Sequence, residues 1–308
     1  MINNFLMVGQ QVLILFILIS IGLIATKAKM LNEKAVKGMT DIVLYFVTPC
    51  VIIKSFQRTL NAEMVKNLVI VFLIAILIHV FSIILAHLII KDNDESRCRV
   101  LRFGVVFSNC GFMSLPLQQA ILGDDGVFYG AVYVATFNIV VWSYGLLLMS
   151  GDKNEVSLKK LAFNPGIIGI TVGLLLAVLP MNLPIVALQP IEYLSSLNTP
   201  LPMLIIGFYL SKLDYKNIFK DAKRYGAISL RLVVIPLISI GVMYACGVRG
   251  DLLVVCAISS SAPTAATSTM FSTKFKRDTA LSAELVSIST LISLITMPLI
   301  VGLSQYLS

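Results

Sequence analysis

Phe107-Ser-Asn-Cys-Gly-Phe-Met-Ser-Leu-Pro116 and Ile258-Ser-Ser-Ser-Ala-Pro263-Thr-Ala-Ala-Thr-Ser-Thr269 decide how this chain is read. Each sets a proline among small and polar residues in the middle of a long apolar run. Proline removes a backbone donor and clashes with the carbonyl four residues back, which frees backbone groups. In hydrocarbon such groups need partners from protein or from a water-filled cavity. Two breaks at matched places in two halves of a chain are the sequence pattern of a binding site at the bilayer midplane. Beyond each break a half-helix begins, and its free N–H groups and partial positive charge suit an anion. Taken singly, each break also reads as a proline kink eased by small residues that help helices pack.

The flanking sequence supplies the membrane. Of 308 residues, 57% are hydrophobic and 13% charged, with a mean hydropathy of +0.91. Soluble domains carry about 25% charged residues. A surface this poor in charge needs lipid as its solvent. Ten apolar runs approach the length of a membrane span: Phe5–Thr26, Val36–Phe56, Val65–Ile90, Cys98–Leu122, Val127–Met149, Pro165–Pro180, Ile191–Leu213, Tyr225–Cys246, Leu252–Thr273 and Thr279–Tyr306. The sixth is short and opens on Asn164-Pro165, a cap followed by proline at the first helical position. Met1–Asn4 lacks the basic region of a signal peptide, so the first run is expected to stay as a span.

The net charge of +8 sits in short segments between these runs. With the N-terminus outside, the inner loops hold groups such as Lys27, Lys29, Lys34 and Lys37, or Lys91, Arg97, Arg99 and Arg102. The outer segments hold only Lys54, Arg58, Lys66 and Arg249. That asymmetry predicts ten spans with both termini outside a cell inner membrane. No basic-and-aromatic stripe is present, so nucleic acid is not an expected partner.

The halves repeat one another. Asp41 precedes Thr48-Pro49 by the interval at which Glu192 precedes Thr199-Pro200, and Pro116 in the fourth run matches Pro263 in the ninth. Five spans per unit force the two units into opposite orientations, an inverted repeat. Residues 1–149 form the first unit, 150–162 a cytoplasmic connector and 163–308 the second.

The candidate ligand-binding residues are Asn109, Gly111, Ser114 and Pro116 at the first break and Ser260, Ser261, Pro263 and Thr264 at the second. Asn198 and Thr199 either complete the cavity wall or belong to kinked packing helices. Asn138 is a mid-span amide that serves as interhelical glue or as a ligand contact. Arg231 and Glu284 are intramembrane ionisable groups. Arg231 either snorkels to an inner edge or attracts an anion. Glu284 either pairs with Lys274 or Arg277 or acts as a proton-linked carboxylate. Asp41 and Glu192 are read as favouring the N-terminal dipoles of their helices.

His79 and His87, eight positions apart on one helix, do not make a metal pair. Cys50, Cys98, Cys110, Cys246 and Cys256 form no CxxC and read as small apolar residues. No HExxH, GxSxG or phosphate-binding loop occurs, so neither an enzyme nor an ATP-driven pump is indicated, and no cofactor or metal is expected.

At the breaks the chain resembles the auxin efflux carrier family, which includes plant auxin carriers and bacterial permeases for malate or malonate. The resemblance lies in Asn109-Cys-Gly-Phe-Met-Ser-Leu-Pro-Leu117 followed by Leu122-Gly123, in Ala262-Pro-Thr-Ala-Ala266, in Ser289-Thr-Leu-Ile-Ser-Leu-Ile-Thr-Met-Pro298, and in Pro200-Leu-Pro-Met-Leu-Ile-Ile-Gly207. It implies an all-α fold similar to bile-acid sodium symporters, with crossover helices 4 and 9 broken at their centres. Helices 3, 4, 5, 8, 9 and 10 would move as a transport domain against a scaffold of helices 1, 2, 6 and 7 that forms a homodimer. The implied function is secondary transport of a small organic anion by an elevator mechanism, proton-coupled or uniport. By that resemblance, Asn109, Pro116, Pro263 and Thr264 carry over as crossover residues. Sodium symport is the alternative, although helix 9 has no carboxylate beside Pro263. A membrane receptor without flux is an alternative of another class.

Overall fold

The computed structural model describes residues 2–156, 165–179, 183–212 and 221–308. Among them the chain is helical apart from turns and one isolated bridge. We number the helices α1 (Ile2–Lys27), α2 (Glu33–Ser55), α3 (Ala62–Ile89), α4 (Glu95–Val106), α5 (Cys110–Ser150), α6 (Pro165–Val178), α7 (Ile185–Ser196), α8 (Pro200–Ser211), α9 (Ala222–Ala245), α10 (Gly250–Ser261), α11 (Thr267–Lys274) and α12 (Thr279–Leu307). Among the described residues six helices are long and apolar enough to cross a membrane: α1 over Gly9–Lys27, α2, α3, α5, α9 and α12. The apolar helices α6 and α10 are shorter. The cap at Asn164, the end of the sixth run at Pro180, the end of the seventh at Leu213 and the connector from 157 onward lie outside the described residues.

Local chemistry sets the helix ends. Asn61 accepts from the Met64 amide at 2.7 Å and so caps α3. Asn32, Asp94, Asp221 and Asp278 cap α2, α4, α9 and α12 in the same way. Gly123, at φ 63° and ψ −145°, interrupts α5, and only glycine adopts that backbone without strain. The fourth and fifth apolar runs therefore meet at one residue rather than across a loop.

Three mid-helix prolines follow one pattern. Pro49, Pro116 and Pro236 each come two residues after a wide π-type turn, at Val43–Val47, Cys110–Ser114 and Leu230–Val234. A ring that clashes with the carbonyl four residues back is accommodated by displacing that carbonyl, and one π turn does this without ending the helix. Pro116 thus lies on a continuing helix. The interruption of the fourth run falls upstream, at Phe107–Asn109.

Glycines bring the flanking helices close. A Cβ on Gly22 of α1 would meet the Leu204 carbonyl of α8 at 2.4 Å, and one on Gly207 would meet the Ile19 carbonyl at 2.2 Å. Gly169 and Gly173 of α6 lie against Pro49 of α2 and against Phe56 just past its end. Small residues that let backbones approach are the means by which helices associate in lipid, where hydrophobicity gives no net pull. Elsewhere α1 and α3 present apolar side chains outward, among them Ile17, Ile24, Leu77 and Leu88, as a lipid-facing surface requires.

Candidate functional site

The two interrupted segments pair with each other. Asn109 N donates to the Pro263 carbonyl at 2.7 Å, and Ala265 N donates to the Phe107 carbonyl at 2.9 Å. Ser108 and Thr264 lie opposite one another in this antiparallel bridge. The Thr264 hydroxyl donates to the Gly104 carbonyl at 3.0 Å, and its backbone N–H donates to Ser289 Oγ at 3.1 Å. Backbone groups that a helix would have satisfied are satisfied across the two breaks, as a low-dielectric interior demands.

A cavity of about 120 Å³ lies beside this bridge. Asp41, Tyr45 and Thr48 of α2 form one wall. Ser108, Asn109 and Gly111 come from the first break, and Asn138 and Trp142 from α5. Ala266 and Thr267 bring in the start of α11. The N-termini of α5, at Cys110, and of α11, at Thr267, therefore both open at the cavity.

Three buried polar atoms around it are short of partners. Asn109 Nδ2 and Thr267 Oγ1 make no hydrogen bond in the structure. Ser108 Oγ makes none of normal geometry either, its near neighbour being the Cys110 thiol, a weak partner. Asn109 is 5% exposed and Ser108 1%. Buried donors left unpaired cost free energy that a ligand acceptor recovers. The set offers an amide N–H, two hydroxyls and two helix N-termini, which is anion-binding chemistry with no cationic side chain in the wall among the described residues.

Of the remaining sequence candidates, Asn138 lines the cavity and the others lie off it. Ser114 Oγ donates to the Ile258 carbonyl at 3.2 Å, and Ser260 and Ser261 bond to carbonyls of their own helix. Pro116 is buried on α5, and Pro263 contributes its carbonyl to the bridge. Asn138 reaches the cavity while its Nδ2 donates to the Val134 carbonyl at 2.9 Å. Asn198 is buried in the turn between α7 and α8, away from the cavity, with Oδ1 unpartnered. Glu284 forms an ion pair with Arg224 rather than with Lys274 or Arg277. Arg231 does not snorkel: it is 1% exposed and donates to backbone carbonyls on two other helices.

Asp41, Ser108, Trp142 and Thr267 were not among the sequence candidates for the site. Asp41 lies well inside α2, which starts at Glu33, so the N-terminal dipole does not account for it. Ser108 and Thr267 were visible as polar neighbours of the prolines. Only the pairing of the breaks shows which hydroxyls turn to the cavity.

Apolar helices interrupted at a shared point, with a small, mostly apolar cavity that holds a few buried polar groups beside the interruption, are the build of an integral membrane transporter. The profile of a family described as membrane transport proteins matches residues 7–158 and 152–301. The chain belongs to that family, the auxin efflux carrier family. Among curated proteins it is 25% identical to an uncharacterized transporter of Methanothermobacter thermautotrophicus, over 94% of this chain and 96% of the relative. It is 24% identical to an uncharacterized transporter of Methanocaldococcus jannaschii, again over 94% of this chain and 96% of the relative.

Proposed function

We propose that this protein is a secondary transporter of a small organic anion, a mono- or dicarboxylate, bound beside the paired breaks. The observation that carries the reading is the cavity into which two helix N-termini open beside the unpartnered Asn109 amide and Thr267 hydroxyl. Such a site recognises a carboxylate by hydrogen bonds and dipole rather than by an ion pair, which suits a ligand that must also be released.

Ten spans in two inverted five-helix repeats are the arrangement that this reading calls for. In it α4 with the first part of α5 is one crossover helix, and α10 with α11 is the other. The α1–α8 and α2–α6 contacts through glycine support a separate scaffold unit. The cavity wall drawn from α2 and α6 on one side and from the breaks on the other lies where a moving unit meets that scaffold. We assign the chain to the cell inner membrane as a homodimer with both termini outside, working by an elevator mechanism, with proton coupling or as a uniport.

The test is uptake of labelled acetate, pyruvate, malate, malonate and indole-3-acetate into proteoliposomes, wild type beside Asn109→Ala. Saturable uptake that the variant weakens is expected. A protein that neither moves nor binds any of them is not an organic-anion transporter. Binding without counterflow would favour a receptor instead.

A further inference from the structure

Arg231 lies in the wide turn Leu230–Val234 of α9. Its Nη1 donates to the carbonyls of Val105 and Val106, each at 3.1 Å, and its Nη2 to the carbonyl of Ser260. These are last-turn carbonyls of α4 and α10, the groups that a helix leaves without partners at its C-terminus. One guanidinium therefore closes both helices that run into the paired breaks. Among the described residues no carboxylate pairs with it, and the titratable side chains that act on it are Tyr133, Cys110 and His79.

A buried cation with no acidic counter-ion is expensive in a membrane interior unless fixed dipoles compensate it. Here they do. Each helix C-terminus carries about half a negative charge, so two of them offset about one positive charge. Convergent C-terminal carbonyls of interrupted helices are also the kind of site that holds sodium in secondary transporters. Arg231 stands in that place with its own charge.

We infer that Arg231 is a resident cation, filling with a side chain the position at which the carboxyl ends of α4 and α10 would otherwise take an alkali cation, so that ligand binding here is sodium-independent. Arg231 is a positioning residue, since it does not reach the cavity. It neutralises the negative ends of α4 and α10, so that they do not cancel the positive ends of α5 and α11, which share the cavity with the Asp41 carboxylate. This second consequence rests on the proposed organic-anion reading; the first does not.

The experiment uses the full chain in nanodiscs, as wild type, Arg231→Lys and Arg231→Gln, in choline, sodium and lithium chloride at equal ionic strength. Thermal stability is one readout. The other is fluorescence of Trp142, the single tryptophan of the chain and part of the cavity wall, titrated with acetate, pyruvate and malate.

Wild type is expected to show the same Tm and the same affinity in all three salts. Arg231→Lys keeps a charge with fewer donors. It should lose some stability, hold its affinity within about threefold and remain indifferent to the salt. Arg231→Gln should lose at least about tenfold in affinity and gain a Tm that rises with sodium or lithium but not choline. A wild-type Tm or affinity that rises with sodium overturns the inference, as does an Arg231→Gln protein that matches wild type in every salt. If Arg231→Gln does not fold, Arg231→Lys still decides. Salt indifference with affinity retained supports a resident charge, and a loss of affinity as complete as removing the site overturns it. A wild type whose fluorescence answers no carboxylate would undo the organic-anion reading, while the Tm series would still decide the role of Arg231.

Discussion

Asn109 joins the two breaks through its backbone and faces the cavity through its side chain. Its N–H donates to the Pro263 carbonyl at 2.7 Å, whereas its Nδ2 is buried without a partner at the cavity wall. Structure and ligand chemistry are therefore separable at this residue. Asn109→Ala keeps the backbone bond and removes only the free donor. Carboxylate affinity should fall about tenfold, a loss of about 1.4 kcal/mol, with Tm within a few degrees of wild type. Asn109→Asp should bind more weakly still, because a carboxylate replaces the donor. Trp142 fluorescence titrations alongside thermal melts measure both quantities. A large drop in Tm with unchanged affinity would assign Asn109 to the fold alone.

Asp41 contributes the carboxylate on the cavity wall, across from the breaks. A negative group there opposes an anionic ligand and aids its release. Asp41→Asn should raise affinity at pH 7 by about three- to tenfold, and the gain should shrink as salt rises and screens the interaction. Transport need not rise with it, since tighter binding slows release. Equal affinities for wild type and variant at low salt would place the ligand elsewhere.

The membrane character and the two breaks were legible in the sequence because both are local. Apolar runs announce themselves, and proline beside serine and glycine marks a weakened helix. What proline did not mark was the position of the first break. Pro116 stays on α5 because the π turn Cys110–Ser114 absorbs its steric demand, and the chain leaves the helix at Phe107 instead. Cavity membership was less legible still. Thr267 and Ser108 face the cavity, and Ser260 and Ser261 face their own helix, yet all four are small hydroxyls close to Pro263 or Asn109 in sequence. The long-range pairing of residues 107–109 with 263–265 sets that choice. Arg231 shows the same gap, since its carbonyl partners are more than a hundred residues away on α4 and on another helix again at Ser260.

The α1–α8 contact gives a prediction about stability alone. An added methyl on Gly22 or Gly207 would run into main-chain atoms of the facing helix, which no rotamer change relieves. Gly22→Ala and Gly207→Ala should each destabilise the protein by about 1–3 kcal/mol. Gly241 on α9 has open space where a Cβ would sit, so Gly241→Ala should be neutral or slightly stabilising. Melting curves followed by size-exclusion chromatography separate the three. If Gly241→Ala costs as much as Gly207→Ala, close packing is not what the glycines provide.

The ionic cluster where α4, α9 and α12 begin gives a prediction about pH. Arg97 Nη2 donates to Asp221 Oδ2 at 2.7 Å, and its guanidinium lies 3.6 Å from Asp92 and 3.8 Å from Asp278. Burial pushes the Asp221 carboxyl up, but the bonds from Arg97 and from the Arg224 N–H outweigh it and hold the pKa below the usual range. Asp221 in turn is the chief group holding Arg97 above its usual value. A carboxyl depressed on folding contributes stability that is fully present above its unfolded pKa of about 4 and is lost as pH falls through the lower folded value. Asp221→Asn retains a side-chain oxygen to cap α9 and removes the charge, so it isolates the ionic part. At pH 7 the variant should be less stable by about 1 kcal/mol, a figure kept small because the pair is partly open to solvent. Its Tm deficit should hold from pH 7 to about 5 and close as pH drops below about 4. Melts of both proteins across that range measure the gap. A deficit that persists undiminished in acid would mean that Asp221 acts through its cap geometry and that the charge on Arg97 is satisfied by Asp92 and Asp278.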